Sequence, residues 1–295
     1  MDIKQKLDLN TLEKIGVYKY RSFFDYSFIK KLRIKSDIIY NSEKFLNKFG
    51  LGNRSERNGS LFTGNLLIKS SIFIELAVIL QKFIESNNLS NYYLSEFFLV
   101  STNKCNKSSD WWHRDYPHNL ENFELYNKHS IGFFVPVSTF NDLTGSTKVI
   151  EYSNNDLTLS ATYENTKILS ANKGDLIIYN PRIMHTGGSN KTDRTRQLIV
   201  AIFNRKELIP CEDFVIQNDM IFTDKDKKLI KELKLIRYKP IINFFGRNRS
   251  VINTSLRPIV KVINKIKIKL NLVKSFIYFS WTRLLYFFFN RVKKD

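Results

Sequence analysis

Cysteine is scarce in this chain of 295 residues, which contains only Cys105 and Cys211. Two isolated cysteines form no disulfide framework, and their scarcity is typical of proteins that fold in a reducing compartment. It also argues against a structural zinc site, because such sites are closed and rich in cysteine. We therefore expect a cytoplasmic protein stabilised by its core, for which 43% hydrophobic and 14% aromatic residues are ample.

Acidic residues are few as well. The chain has 28 aspartates and glutamates against 47 lysines and arginines, which gives a formal net charge of +19. Residues 247–295 hold twelve of the cationic residues and a single acidic one, Asp295, so this segment alone accounts for +11. The excess charge thus belongs to the C-terminal segment rather than to the rest of the chain.

Long apolar runs are also missing. The charged start, residues 1–6, has no apolar segment after it, so we expect no secretory signal peptide. The apolar and aromatic stretch 275–289 is interrupted by Arg283 and is shorter than the ~20 residues of a transmembrane helix. What the chain does contain is a pair of motifs suited to metal chemistry.

The first motif is His113-Arg114-Asp115. In a β-strand, residues i and i+2 point to the same face roughly 7 Å apart, so His113 and Asp115 can converge on one ion while Arg114 turns away. Alone this is a weak signal, because His-x-Asp occurs by chance in many chains. A third ligand has to come from a distant part of the chain, and His185 is the leading candidate.

Strand signals around both motifs strengthen this interpretation. Residues 131–137 form a buried apolar run, and the short apolar run 176–179 ends at Asn180-Pro181, just before His185. Two imidazoles and a carboxylate on one face of an octahedral ion leave three positions open, enough for a chelating cosubstrate and dioxygen. The donor set therefore favours a non-haem Fe(II) oxygenase over structural zinc.

Two arginines compete to bind a carboxylate of the cosubstrate. A planar guanidinium holds a carboxylate through two parallel hydrogen bonds. Arg196 opens the apolar run 198–203 and shares a face with its alternate residues, whereas Arg194 lies in a polar turn beside Asp193. We therefore favour Arg196. The hydroxyl of Thr186 is a further candidate for the cosubstrate site.

These features stand in a fixed order along the chain. A Trp-His-x-Asp motif comes first, then a Gly-rich turn, a Gly-Asp-apolar strand leading to His, and an Arg eleven positions after that His. The segments are Trp112-His113-Arg114-Asp115, Gly145-Ser146-Thr147, Gly174-Asp175-Leu176-Ile177-Ile178, His185, Asn190, Thr192 and Arg196. In this order they resemble the phytanoyl-CoA dioxygenase family of Fe(II)/2-oxoglutarate oxygenases, over about the first 215 residues.

The resemblance implies a mainly β fold with flanking helices, a double-stranded β-helix or jelly roll of two antiparallel sheets. It implies that His113, Asp115 and His185 bind Fe(II), that Arg196 binds 2-oxoglutarate, and that O2 is the oxidant. It favours hydroxylation of an unactivated C–H bond with release of succinate and CO2, because halogenating relatives lack the carboxylate. Residues 150–154 depart from the family's Pro-Gly-Ser-His segment, so the substrate is not indicated.

We expect two parts in the chain. Residues 1–215 form the oxygenase-like domain, with N-terminal helices in 1–90 and a jelly-roll core in 91–215, and residues 216–295 form a basic helical C-terminal extension. The apolar periodicity predicts helices over 18–36, 42–49 and 68–86 and a strand over 92–102.

The C-terminal extension has two interpretations. Apolar residues of 259–277 recur at spacings of four and three with lysines on the other faces, which favours a helix. Polar and apolar residues alternate strictly over 265–272, so a strand is the alternative for this part. In one interpretation residues 257–295 bind an anionic membrane surface, which places the protein peripherally at the inner face of a membrane. In the other they pack on their own domain or on a second copy of the chain. We expect no specific nucleic acid partner, because no recognised nucleic-acid-binding fold accompanies the charge.

The substrate is expected to be a small molecule or a lipid-linked compound. One rival function is a non-catalytic jelly-roll binding protein held at a membrane surface by its basic tail, in which His113 and Asp115 serve structure only. Another is an enzyme, such as a hydrolase, that uses a different metal at the same triad. The intact set of ligand types argues against the first rival, and the offset of Arg196 from His185 argues against the second.

Overall fold

The structure, a computed structural model, describes a defined part of the chain. The described residues are 6–48, 55–57, 59–64, 66–104, 111–115, 130–156, 158–159, 161–162, 165–205, 223–233 and 235. The chain divides into one unit of residues 1–47 and 52–237 and a second of 48–51 and 238–295, and the account below concerns the first. The predicted basic helix of the tail, 257–295, lies outside the described residues.

The described residues contain four α-helices, one 3₁₀ turn (Leu66–Ile68) and ten β-strands. The helices are α1 (Leu9–Ile15), α2 (Tyr26–Lys48), α3 (Ser71–Ser86) and α4 (Asp224–Glu232). The strands are β1 (Val17–Tyr20), β2 (Ser55–Arg57), β3 (Ser60–Thr63), β4 (Tyr92–Thr102), β5 (Ser130–Pro136), β6 (Thr147–Ile150), β7 (Thr166–Ile168), β8 (Leu176–Tyr179), β9 (His185–Gly187) and β10 (Arg196–Arg205).

All of the strand pairs are antiparallel, and they form two sheets within the described ranges. Seven strands follow the order β1-β8-β5-β10-β4-β3-β2, and three follow the order β7-β6-β9. β10 is central, because it pairs with β4 on one side and with β5 on the other. Every residue of β5 and β8 is buried. The apolar runs at these strands were therefore correct signals of sheet buried on both faces.

One core lies between the seven-stranded sheet and the helices. The apolar stripe of α3 has a spacing of three, four and three residues, and its side chains are fully buried: Phe73, Leu76, Leu80 and Phe83. The ring of Phe83 meets the rings of Tyr20 and Phe133 edge to face, with centroids 5.7 and 6.2 Å apart. The helix predicted over 68–86 is thus confirmed from Ser71 to Ser86, while Ile68 ends the 3₁₀ turn before it.

The second core lies between the two sheets. It joins Phe134, Tyr179 and Val200 from the large sheet to Val149 from the small one. Two antiparallel sheets that enclose an apolar interior, with helices on the outer face of one, form the predicted jelly roll. This interior matters for function because the segments that carry His113 and His185 lie beside it.

The prediction of a helix beginning at Tyr18 was wrong at its start. α1 ends at Gly16, and Val17–Tyr20 forms an edge strand that pairs with β8, so that Val17 lies opposite Tyr179. Val and Tyr have high strand propensity, and the edge of β8 supplies the partner. The helix itself begins at Tyr26, and α2 includes the separately predicted segment from 42 onward.

α4 packs against α3 and begins with a capping box between Thr223 and Asp226. Its Glu232 pairs with Lys82 of α3 at 2.7 Å, and Leu233 is buried in the helical core. The first helix of the predicted extension therefore rests on the N-terminal core, while the domain boundary at residue 215 stays a prediction. No helix in the described part of the chain is both long and apolar enough to span a bilayer.

Candidate metal centre

His113 and His185 face each other across an isolated antiparallel bridge. Each backbone N–H donates to the carbonyl of the other residue, at 2.9 Å in both directions. Two residues paired in this way have their Cα atoms about 5.5 Å apart and their side chains on the same face of the ladder. Residues 72 positions apart in the chain are thus held side by side by main-chain bonds alone.

Asp115 completes the cluster. Its N–H donates to the carbonyl of Pro181 at 2.8 Å, which holds the motif against the segment leading to His185. Carboxylate Oδ1 lies 3.8 Å from Nε2 of His113, and Oδ2 lies 3.7 Å from Nε2 of His185. All three potential ligand atoms fall within 4.8 Å of one another. This is the convergence that the spacing predicts, and the donor set fits Fe(II).

The orientation of both imidazoles is fixed by backbone carbonyls. Nδ1 of His113 lies 3.2 Å from the carbonyl of Trp111, and Nδ1 of His185 lies 2.9 Å from the carbonyl of Ile183. A carbonyl oxygen only accepts, so each Nδ1 must carry the proton. Nε2 of each ring then points toward the cluster, the usual arrangement of metal-binding histidines.

Arg114 turns away from the cluster, as the strand geometry predicts, and ties the motif to two loops. Its guanidinium donates to the carbonyls of Ser153 and Arg182 at 2.5 and 2.6 Å, and to that of Asp156 at 3.3 Å. Burial disfavours the charged form and lowers the pKa of Arg114, an effect that the nearby Asp156 opposes. Arg114 therefore acts as a strap between the metal motif and the loops on either side of it.

Aromatic rings surround the imidazoles. The ring of Trp111 stacks on His113, with centroids 4.4 Å apart and planes inclined by 14°. On the other side, the rings of Phe134 and Tyr179 lie 6.4 and 5.9 Å from that of His185. The Tyr179 hydroxyl donates to Oδ2 of Asp115 at 2.8 Å, a contact that motif reasoning missed because no local pattern marks it.

Among the described residues of the cluster, exposure to solvent is uneven. The side chain of His185 is 8% exposed and that of His113 is 26% exposed, while Trp111, stacked on His113, is 49% exposed. Access to the metal position is therefore from the side of His113 and Trp111. The deep side, behind His185, is lined by the apolar interior.

Arg196 is buried in the same interior, at the start of β10. Its Nη2 donates to Thr102 Oγ1 at 2.5 Å, and its guanidinium carbon lies 5.5 Å from the centre of the Phe140 ring. Nε has no hydrogen-bond partner among the described residues. Burial alone lowers the pKa of Arg196 to about 10. A buried guanidinium whose Nε has no hydrogen-bond partner, and which has no ion pair among the described residues, is suited to a carboxylate ligand, which 2-oxoglutarate would provide.

The other candidates for the cosubstrate site are placed differently. The side chain of Arg194 is 90% exposed and lies 4.0 Å from the carboxylate of Asp193. It therefore differs from Arg196, which is buried. Thr186 is buried beside His185, but strand alternation turns adjacent side chains to opposite faces. Its place in the cosubstrate site stays a prediction.

Asn190 fixes the turn between β9 and β10. Its side-chain amide donates to the carbonyls of Asn103 and Arg194 at 3.1 and 2.7 Å, and its Oδ1 accepts from the backbone N–H of Thr192 at 3.1 Å. Gly145 packs directly on this turn with φ of +74°, where a Cβ would lie 2.7 Å from the backbone nitrogen of Asn190. The small residues of the Gly-rich turn therefore let two loops meet beside β10.

The sequence and the fold were both compared with known proteins. Residues 34–198 match the family described as phytanoyl-CoA dioxygenase (PhyH). Among solved structures, the chain is similar to the non-heme alpha ketoglutarate dependent epimerase SnoN from nogalamycin biosynthesis, with 13% identity, a TM-score of 0.51, and coverage of 66% of this chain and 80% of that one.

Two further structures show the same architecture. The non-heme alpha ketoglutarate dependent carbocyclase SnoK from nogalamycin biosynthesis has 10% identity and a TM-score of 0.51, covering 67% of this chain and 82% of that one. HygX from Streptomyces hygroscopicus, with nickel, 2-oxoglutarate and hygromycin B bound, has 13% identity and a TM-score of 0.50, covering 68% and 88%. At this level of identity the likeness shows the fold.

Proposed function

Because the chain belongs to the phytanoyl-CoA dioxygenase family of Fe(II)- and 2-oxoglutarate-dependent oxygenases, we propose that it hydroxylates an unactivated C–H bond of a small-molecule or lipid-linked substrate. Succinate and CO2 are the products formed from 2-oxoglutarate. The observation that carries this proposal is the meeting of His113, Asp115 and His185 in a jelly-roll interior that also holds the buried guanidinium of Arg196.

Each side chain has a distinct part in the proposed reaction. Bound iron supplies the activation of dioxygen, with 2-oxoglutarate as the co-reductant. Nε2 of each histidine and the carboxylate of Asp115 would hold the ion and leave positions for further ligands. Arg196 receives the far carboxylate of 2-oxoglutarate through charge-assisted hydrogen bonds, which orient it before the reaction begins.

The surroundings of the site favour oxidation of the substrate over loss of the oxidant to water. Phe134 and Tyr179 close the deep side and keep bulk water away from the ligands. The substrate enters from the open side and reaches the site past the exposed ring of Trp111. Asp115 favours hydroxylation over halogenation, because its carboxylate occupies the position that a halide needs.

We also propose that residues 257–295, with their excess of lysine and arginine, hold the protein against the anionic inner face of a membrane, which would bring it near a lipid-linked substrate. The rest of the protein is cytoplasmic in this proposal, where Fe(II) stays reduced. The charge of the segment supports the idea, since a basic, aromatic stretch is typical of interfacial binding.

The proposed function is tested without knowing the substrate. Protein loaded anaerobically with Fe(II) is given 2-oxoglutarate and O2, and the succinate formed in the uncoupled reaction is measured. We expect steady turnover by the wild type and none by His113→Ala or Asp115→Asn, which also lose iron. Asp142→Asn is the matched control, because its carboxylate is 53% exposed and lies outside the cluster. Turnover retained by His113→Ala would refute the assignment.

A further inference from the structure

The carboxylate of Asp115 has two oxygens in different surroundings. Oδ1 faces His113 Nε2 at 3.8 Å. Oδ2 faces His185 Nε2 at 3.7 Å and also accepts a hydrogen bond from the hydroxyl of Tyr179 at 2.8 Å. The hydroxyl of Tyr179 thus hydrogen-bonds to Oδ2, while Oδ1 faces His113. A phenol that donates to an ionised carboxylate forms one of the stronger hydrogen bonds in proteins.

The ring of Tyr179 is held firmly in the position that makes this bond. It is fully buried at the end of β8 and stacks on Phe134, with centroids 4.0 Å apart and planes inclined by 19°. Its partner across the sheet is Gly132 of β5. A Cβ on Gly132 would overlap the Tyr179 ring at Cε1, Cζ and Cδ1. The strand therefore carries a glycine where any side chain would push the ring away.

We infer that Tyr179 is a positioning residue, seated in the space left by Gly132, that makes Asp115 a one-oxygen ligand of the metal. This inference rests on the proposed function. The hydroxyl keeps Oδ2 in the outer shell, so that Oδ1 alone binds the ion. A carboxylate that bound through both oxygens would take one of the three positions that a chelating 2-oxoglutarate and O2 require.

The inference predicts a change in the metal site when the hydroxyl is removed. In Tyr179→Phe, Oδ2 loses its partner, and Asp115 becomes free to rotate or to bind through both oxygens. Outer-shell partners of this kind change metal affinity by roughly 10–100-fold. We expect the dissociation constant for Co(II) to rise within that range. The visible absorption of bound Co(II) is expected to change in position and intensity, because it depends on coordination number.

A second variant acts on the same contact from the other strand. Gly132→Ala keeps the hydroxyl but forces the ring of Tyr179 to move, so we expect it to reproduce the altered Co(II) spectrum. Tyr20→Phe is the matched control. It also removes a buried hydroxyl, one that donates to the carbonyl of Lys6, and it lies in the core beneath α3 rather than between the sheets. Its Co(II) affinity and spectrum should equal those of the wild type.

The experiment is an anaerobic Co(II) titration of the full-length protein and its variants, followed by visible absorption, with thermal unfolding of each apo-protein in parallel. Wild-type affinity and spectrum in Tyr179→Phe would overturn the inference and leave the proposed function standing, provided that the wild type forms succinate. A wild type that neither binds Co(II) nor forms succinate would overturn both. Loss of folding in Gly132→Ala leaves the decision to Tyr179→Phe, which deletes one hydroxyl and no packing atoms.

Discussion

Arg194 and Arg196 are two residues apart, yet the fold gives them opposite environments. The side chain of Arg194 is 90% exposed in a turn, while Arg196 is 4% exposed under the ring of Phe140. A guanidinium in water is already solvated, so an anion adds little to it. A buried guanidinium whose N–H group has no hydrogen-bond partner is stabilised much more strongly by an anionic ligand. At the scale of single residues, burial therefore decides which of the two arginines can bind a cosubstrate.

We predict that Arg196→Met raises the KM for 2-oxoglutarate. Hydrogen bonds to charged groups contribute about 1.5–3 kcal/mol, which corresponds to roughly a 10–150-fold loss of affinity. The fold should tolerate the change, since methionine has a similar length and its burial avoids the desolvation cost of a buried charge. The measurement is uncoupled succinate formation against 2-oxoglutarate concentration.

Arg194→Met is the matched control for this prediction and should leave the KM unchanged. Co(II) affinity should be the same in both variants, because neither side chain belongs to the triad. An equal KM in Arg196→Met and Arg194→Met would remove Arg196 from the cosubstrate site.

At the scale of elements, the metal centre depends on how a short segment is fastened to its neighbours. Residues 111–115 belong to no long strand, and they are held by the bridge to His185, by the bond from Asp115 to Pro181, and by the Arg114 strap. The first two attachments are main-chain bonds that any sequence could make. The third depends on one side chain.

We predict that Arg114→Met loosens the metal motif. The carbonyls of Ser153 and Arg182 lie in fully buried residues, and an unsatisfied buried acceptor costs about 1–3 kcal/mol. The apo-protein should therefore unfold at a lower temperature than the wild type, and its Co(II) affinity should fall although all three ligands remain. Differential scanning calorimetry and Co(II) titration check the two effects.

The exposed Arg194→Met again serves as the control, because it removes the same charge without removing a buried contact. A variant of Arg114 with wild-type Tm and wild-type Co(II) affinity would show that the two main-chain attachments suffice.

At the scale of the whole molecule, the distribution of charge separates the chain into two kinds of sequence. Residues 247–295 account for +11 of the net charge of +19, although they are only about a sixth of the chain. The catalytic candidates all lie before this segment, between residues 111 and 196. Catalysis and membrane attachment are therefore expected to be separable.

We predict that deletion of residues 257–295 removes binding to vesicles that contain anionic lipid and leaves uncoupled succinate formation unchanged. Attraction between lysines and an anionic surface weakens with salt, so binding by the full-length chain should decline as ionic strength rises. Vesicle sedimentation at two salt concentrations measures both effects. Unchanged partitioning after the deletion would reject the membrane proposal, and a lower Tm would then favour packing of the segment on the protein.

The sequence by itself determined the parts that depend on local chemistry. The helix at α3 follows from the period of its apolar residues, which the covalent geometry of the chain imposes, and the strand at β8 follows from a short apolar run that ends at Asn180-Pro181. The same geometry places His113 and Asp115 on one face with Arg114 turned away. The types of donor at His113, Asp115 and His185 restrict the metal without any knowledge of the fold.

Only the tertiary structure decided which distant residues meet. The bridge between His113 and His185, the strand at Val17–Tyr20, the burial of Arg196 and the bond from Tyr179 to Asp115 all depend on strand register across long stretches of chain. The hydrophobic pattern of one strand says which of its residues face the core, but not which distant strand it pairs with, and that pairing is decided when whole sheets pack. The sequence thus determined which chemical groups are available for the site, and long-range packing brought them together in space.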